Sequence, residues 1–309
     1  MAPKGGRGGS SGGGGGGGSS ISACPDAFWM RSSQIRLANI VIFLAAFFGI
    51  AIALCIVRKK NGANKKLLGW PYITAVLLFI LSFSLQLILA VLVECGTFNI
   101  DVGAGMNIVI EISWSLGAWL LFFIVVYVLN TLLRQELGGA TAIYKVICLA
   151  ISGVMLALTC ADVGISSYNN WTMSSAGYDA NAAAIEYPFV HLLLAEYVLF
   201  LVGVLVSGAL SLMTIFALRS RRLPGGGLLI WVTAVILSMV IWYILYLVHY
   251  GSLVAQDLLS IDTYRALPFV RNFFLALSFI ILLCIAKHSA WNKTTVATPV
   301  AQVYSPVRV

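Results

Sequence analysis

Glu111, Asp162, Glu196 and Arg271 each stand inside a stretch of chain that is otherwise apolar, and Gln86, His191 and His249 occupy similar surroundings. A charge within hydrocarbon costs a few kcal/mol or more, so such residues pair with one another, face water or serve a ligand. Three kinds of chemistry follow. Arg271 can pair with Glu111 or Glu196, because a buried guanidinium without an anion is strongly unfavourable. The carboxyl groups of Glu111, Asp162 and Glu196 can donate protons to an apolar substrate. Alternatively, the whole set can line a polar cavity that holds a small amphipathic molecule. Trp242, Tyr246, His249 and Tyr250 would add an aromatic wall, since spacings of four, seven and eight place them on one helix face. The plainer reading of that face is an aromatic belt at a membrane surface.

The elements that must carry these residues are legible from composition. Of 309 residues, 60% are apolar and 10% charged, and mean hydropathy is +0.96. A soluble domain has about 25% charged residues, so a water-soluble enzyme and a disordered chain are both excluded. The net charge of +8 does not indicate a nucleic-acid partner, because the Lys and Arg residues fall in short gaps between long apolar runs. Crossing a bilayer takes about 20 apolar residues in a helix. Seven stretches qualify: Leu37–Val57, Pro71–Val93, Asn107–Leu133, Ile143–Ile165, Pro188–Leu218, Leu228–Tyr250 and Leu267–Ala286. The expected fold is therefore all-α, a membrane-spanning seven-helix bundle in contact with the lipid bilayer. Pro71, Pro188 and Pro268 stand at expected helix starts, and none lies deep inside a span.

Positive charge sets the expected orientation. Arg58, Lys59, Lys60, Lys65 and Lys66 follow span 1, Arg134 and Lys145 flank the gap after span 3, and Arg219, Arg221 and Arg222 follow span 5. Lys287, Lys293 and Arg308 follow span 7, whereas the opposite loops carry only Arg265. The positive-inside rule then puts the N-terminus outside and the C-terminus in the cytosol. All seven ionisable or amide residues named at the outset fall in the outer half. The sequon Asn170-Trp171-Thr172 falls in the longest outer loop and is expected to carry sugar, while Asn292-Lys293-Thr294, on the inner side, is not. Of the cysteines, Cys24, Cys95 and Cys160 are outer. A Cys24–Cys95 disulfide is the preferred pairing there, since Cys160 can sit within lipid. Cys55, Cys148 and Cys284 read as small buried hydrophobes.

Residues 1–35 read as a disordered, glycine-rich outer tail, 36–287 as the seven-helix domain and 288–309 as a disordered cytosolic tail. No apolar leader precedes span 1, which is expected to act as its own insertion signal. Thr298-Pro299 and Ser305-Pro306 fit proline-directed phosphorylation, although ordinary tail dipeptides are the simpler reading. Small residues recur every fourth position as Ala45, Gly49 and Ala53, as Gly153 and Ala157, and as Gly203, Ser207 and Ser211; close packing within the bundle is the expected use. No Cys-x-x-Cys or His/Cys ligand spacing occurs, Gly225-Gly226-Gly227 lacks the G-K-[ST] of a phosphate loop, and no cofactor is expected.

The layout resembles that of G-protein-coupled receptors, but the residue signatures differ. The end of span 3 reads Asn130-Thr131-Leu132-Leu133-Arg134 rather than acidic-Arg-Tyr, span 7 lacks Asn-Pro-x-x-Tyr and span 6 lacks proline. Span 7 has no interior Lys for a retinal Schiff base. The arrangement is similar to that of fungal orphan seven-helix membrane proteins, with an outer N-terminus, a basic first inner loop, short inner loops and a short tail. That resemblance implies a receptor-like multi-pass protein of the plasma membrane or an endomembrane and carries no functional residues with it. Membrane-embedded terpene cyclases offer the enzymatic comparison, with Glu111, Asp162 and Glu196 as the acids, and a small-molecule transporter is the third alternative. The leading expectation is a receptor or sensor that binds a small amphipathic molecule in an outward-facing cavity formed by Gln86, Glu111, Asp162, His191, Glu196, Trp242, Tyr246, His249 and Arg271. The basic inner loops would contact anionic lipid heads or a cytosolic partner.

Overall fold

The computed structural model describes residues 28–60, 67–97, 100–136, 142–175, 180–220, 226–255 and 260–288. All regular structure among them is helical. Seven helices follow the chain: α1 (Arg31–Lys60), α2 (Trp70–Glu94), α3, α4 (Ala142–Ser175), α5 (Ala180–Ser220), α6 (Leu229–Ala255) and α7 (Ile261–Lys287). Helix α3 is composite: Ile100–Phe123 is α-helical, Ile124–Leu129 is a π-helical segment and Asn130–Glu136 is again α-helical. Each of the seven contains a stretch long and apolar enough to cross a membrane. Among the described residues the chain is all-helical, with seven membrane-length helices.

Local sequence explains where the helices start and why several outrun the apolar spans. In α2, Gly69 takes the N-cap position and Pro71 lies in the first turn, where its missing N–H costs nothing. Ser260 caps α7: its Oγ accepts from the Thr263 backbone N–H at 3.2 Å. That cap starts the helix seven residues before Pro268, so Pro268 sits inside α7 instead of at its start. Pro188 likewise falls within α5. Both positions correct the expectation that these prolines start their helices, and each forfeits one intrahelical hydrogen bond. Helix α4 continues to Ser175 through sequence expected to form a loop. Polarity there marks where lipid-like composition ends, but no helix breaker precedes Gly177.

The helices pack in chain order around a closed ring, with α1 against α2 and α7, and each remaining helix against its sequence neighbours. The π-helical and final segments of α3 also lean on α5. Residues pointing away from the ring, such as Ile52, Val154, Met213, Leu237 and Phe273, are apolar and exposed, as helices bathed in lipid require. Between α1, α2 and α7 the interior is aromatic. The Phe47 and Phe79 rings are 5.2 Å apart, Phe79 and Phe279 are 5.7 Å apart, and the Tyr72 hydroxyl donates to the Phe279 carbonyl at 2.9 Å.

The small-residue stripes have different fates. On α5, a Cβ at Gly203 would meet the Phe122 ring at 2.8 Å, so glycine permits the close approach of α5 to α3. Ser207 and Ser211, one and two turns further, are buried against Asn130. The stripes on α1 and α4 mostly face away from the bundle: Ala45, Gly49, Gly153 and Ala157 are exposed, a Cβ at either glycine would meet nothing within 4 Å, and only Ala53 packs against the core. Here the expectation of internal packing fails.

Candidate functional site

A cavity of about 840 Å³ opens at the end of the bundle where α1, α3, α5 and α7 begin. Its walls come from all seven helices. Helix α7 contributes Arg265, Arg271 and Asn272, and α1 contributes Arg36 and Asn39. Facing them, α3 supplies Asn107, Glu111 and Trp114, and α4 supplies Asp162 and Asn170. Gln86 of α2 sits beside α3; Tyr197 of α5 and Tyr246, His249 and Tyr250 of α6 complete the circuit. Glu111 lies about three turns from the start of α3, and Asp162 more than three turns before the end of α4. Both therefore stand further from their helix ends than the apolar spans alone suggest.

The aromatic wall is rigidly tied. The Trp114 indole N–H donates to the Tyr246 hydroxyl at 2.7 Å, bridging α3 and α6. Tyr197 stacks on Tyr246 with ring centres 4.3 Å apart and planes 9° from parallel, and Tyr197 also stacks on Tyr250 at 5.4 Å. The Arg271 guanidinium lies over this group, 4.5 Å from the Tyr246 ring centre and 5.6 Å from that of Trp114. Such cation–π contacts offset part of the cost of a desolvated cation. They do not satisfy its N–H groups: Nε of Arg271 is buried without a hydrogen-bond partner. Oδ1 of Asp162, Nδ1 of His249 and Oδ1 of Asn272 are in the same condition. Four lining residues thus present buried polar atoms with nothing to bond, and each such atom costs of order 1–3 kcal/mol.

Six of the nine expected binding residues meet here: Gln86, Glu111, Asp162, Tyr246, His249 and Arg271 all line the cavity. The other three are elsewhere. Glu196, 4% exposed, lies between α5 and α4, where its Oε1 accepts from the Thr159 hydroxyl at 3.0 Å. Trp242 shares a helix face with Tyr246 but sits a turn deeper; it is 1% exposed and packs on Tyr243 and Tyr246 as core. His191 is exposed on α5 and does not line the cavity. The expected ion pair is also missing: among the described residues, Arg271 makes no ion pair with Glu111 or Glu196. Glu196 has a hydroxyl partner on another wall, and Arg271 is held over aromatic rings instead.

Several lining residues escaped the sequence reading. Trp114 lies one turn from Glu111 and Tyr197 directly follows Glu196, so a search one turn either side of each intramembrane acid would have reached both. Arg36 lies just outside the expected span 1, Leu37–Val57, and Asn272 has no charge to flag it. Asn39 and Asn272 join α1 to α7, with Asn272 Nδ2 donating to Asn39 Oδ1 at 3.4 Å.

Two modification expectations can be placed in part. Asn170 belongs to the last turns of α4 rather than to a loop, lines the cavity, and is followed by Thr172, whose hydroxyl is within 3.1 Å of the Tyr168 and Asn169 carbonyls. Cys95 is disulfide-bonded, and Cys55, Cys148, Cys160 and Cys284 are free. The expected partner, Cys24, lies outside the described residues, as do Lys65, Lys66, Arg221, Arg222, Lys293 and Arg308 of the basic inner segments and the two proline-directed motifs. Among the described residues, no group of His, Cys, Asp or Glu side chains is arranged to hold a metal ion.

No family model, curated protein or solved structure matches the chain. The similarity to other seven-helix proteins is accordingly one of layout.

Proposed function

We propose that this is an integral membrane protein with its N-terminus outside and its C-terminus in the cytosol, and that it binds a small amphipathic molecule in the cavity as a receptor or sensor. One observation carries the reading: polar side chains from five apolar helices, α2, α3, α4, α6 and α7, line one cavity, and among the described residues no ion pair ties its charged groups to one another. Its volume falls in the usual range for small-molecule sites, about 300–1,000 Å³. Below it, the Trp114 ring packs edge-on against Phe79 and Phe83, and Leu121, Phe122, Ile124 and Val125 are fully buried. That packed floor favours binding over passage to the other side.

The basic segments after α1, α3 and α5 would then face the cytosol and meet anionic lipid heads or a cytosolic partner. Two measurements test the reading. Asn107→Cys in intact cells should react with a membrane-impermeant thiol reagent; reaction only after permeabilisation reverses the orientation. Glu111→Gln should retain normal surface expression while losing ligand binding.

A second reading, acid catalysis on an apolar substrate, draws on Asp162, which is 5% exposed, lines the cavity and has an unbonded carboxyl oxygen. Turnover of an isoprenoid by the purified protein, abolished in Asp162→Asn, would favour it over sensing.

A further inference from the structure

We propose that the cavity selects an amphipathic zwitterion, a small molecule bearing an acid group and an ammonium group on an apolar body. This rests on the binding function proposed above and narrows its ligand class. The two charge signs line the same space from facing walls. Arg36, Arg265 and Arg271 come from the adjoining helices α1 and α7, while Glu111 and Asp162 come from the adjoining helices α3 and α4. Among the described residues none of the three arginines forms an ion pair.

The geometry keeps them apart. The guanidinium of Arg271 rests on the Tyr246 and Trp114 rings, and those rings are fixed to each other by the Trp114-to-Tyr246 hydrogen bond. Glu111 and Asp162 line the cavity together, and among the described residues neither forms an ion pair, so the acidic wall is itself short of a cation. The unbonded atoms are of both kinds: Arg271 Nε lacks an acceptor, whereas Asp162 Oδ1 and Asn272 Oδ1 lack donors. A simple anion would satisfy Arg271 and leave the carboxyl groups facing it. A simple ammonium would reverse the fault. A molecule with both groups answers both walls, and the stacked Tyr197, Tyr246 and Tyr250 rings give its apolar body a flat surface.

The experiment uses the purified full-length chain in lipid nanodiscs and four probes of nearly equal size: phenylalanine, 3-phenylpropionate, phenethylamine and 3-phenylpropanol. Phenylalanine should bind at least about tenfold more tightly than each of the others, because two charge-assisted contacts form together. Arg271→Gln should reduce phenylalanine to the affinity of phenethylamine, and Glu111→Gln should reduce it to that of 3-phenylpropionate. Thermal unfolding of each unliganded variant separates lost binding from lost folding. Lysophosphatidylethanolamine, which places the same pair of charges on a membrane lipid, identifies the source: competition tighter than phenylalanine's assigns the site to lipid headgroups, and weaker competition assigns it to soluble zwitterions.

Equal binding of all four probes overturns the zwitterion assignment and leaves the binding cavity standing, as does tightest binding by a singly charged probe. Absence of binding by every probe also overturns it. The cavity itself then fails only if Asn107→Cys stays unreactive even after permeabilisation. Recovery of wild-type thermal stability by the exchange Arg271→Glu with Glu111→Arg, after losses in both single variants, would show a structural pair and overturn the proposal too.

Discussion

Asn130 and Arg271 are both polar residues in apolar helices, and they show how differently the two halves of the bundle treat such groups. Asn130 is fully buried and saturated: its amide donates to Ser207 Oγ at 2.7 Å and to the Val125 and Val126 carbonyls at 3.2 and 3.3 Å, and its oxygen accepts from Ser211 at 2.8 Å. Arg271 is half-buried, touches rings, and has a buried N–H without an acceptor. The first does not line the cavity, and about 840 Å³ adjoins the second. Other unbonded atoms do occur away from the cavity, at Thr74, Thr131, Arg134, Tyr144, Ser152, Asn169, Trp242 and Tyr243, and the Arg134 guanidinium lies 3.8 Å from the Tyr144 ring centre. Residue type alone therefore does not separate structure from site. What the polar atoms meet does.

The contrast can be broken by substitution. The largest effect belongs to Gly203→Val, since even a Cβ there would lie 2.8 Å from the fully buried Phe122 ring. We expect a loss of up to about 3 kcal/mol, seen as a much lower unfolding temperature in detergent. Asn130→Ala should cost about 2 kcal/mol in the same assay, because it strands the Ser211 hydroxyl and removes the amide donor to Ser207 Oγ. Trp114→Phe keeps the ring and removes the donor to Tyr246, for about 1 kcal/mol or less. Arg271→Gln should change unliganded stability by less than about 0.5 kcal/mol, since no ion pair is lost. A drop as large as that of Asn130→Ala would erase the distinction between the halves. The smallest effect concerns Asn170: glycosidase treatment should leave the mass unchanged, because a glycan on a cavity-lining side chain would compete with the ligand for the same space. A glycosidase-sensitive mass would sharpen the case against the cavity.

Much of this was legible from residue order, for a physical reason. Lipid demands long apolar helices, so seven spans stand out, and the cost of burying charge makes Glu111, Asp162 and Arg271 conspicuous within them. Helix ends were less legible, because hydropathy reports the solvent and not the backbone; Asn170 and Pro268 were misplaced on that account. Face and depth are also different quantities. Trp242 and Tyr246 share a face by spacing, yet only Tyr246 reaches the cavity, and depth depends on how neighbouring helices cross. The partner of Glu196 could not be read at all, since Thr159 gives no signal of its own among the small residues of α4.

The wide turn at Ile124–Leu129 gives α3 two independent phases. Each residue of an α-helix advances the azimuth by about 100°, so loosening one stretch re-aims everything beyond it relative to everything before. Above it, Glu111 and Trp114 face the central space; below it, Asn130 faces α5. Trimming one residue from Ile124–Leu129 would let the stretch wind as regular α-helix with Asn130, Leu133 and Arg134 kept near their present neighbours, because the wider turn takes up the extra residue; tightening it without the deletion would swing them away. That stretch is the gearing through which a shift in one half would be felt, or absorbed, in the other.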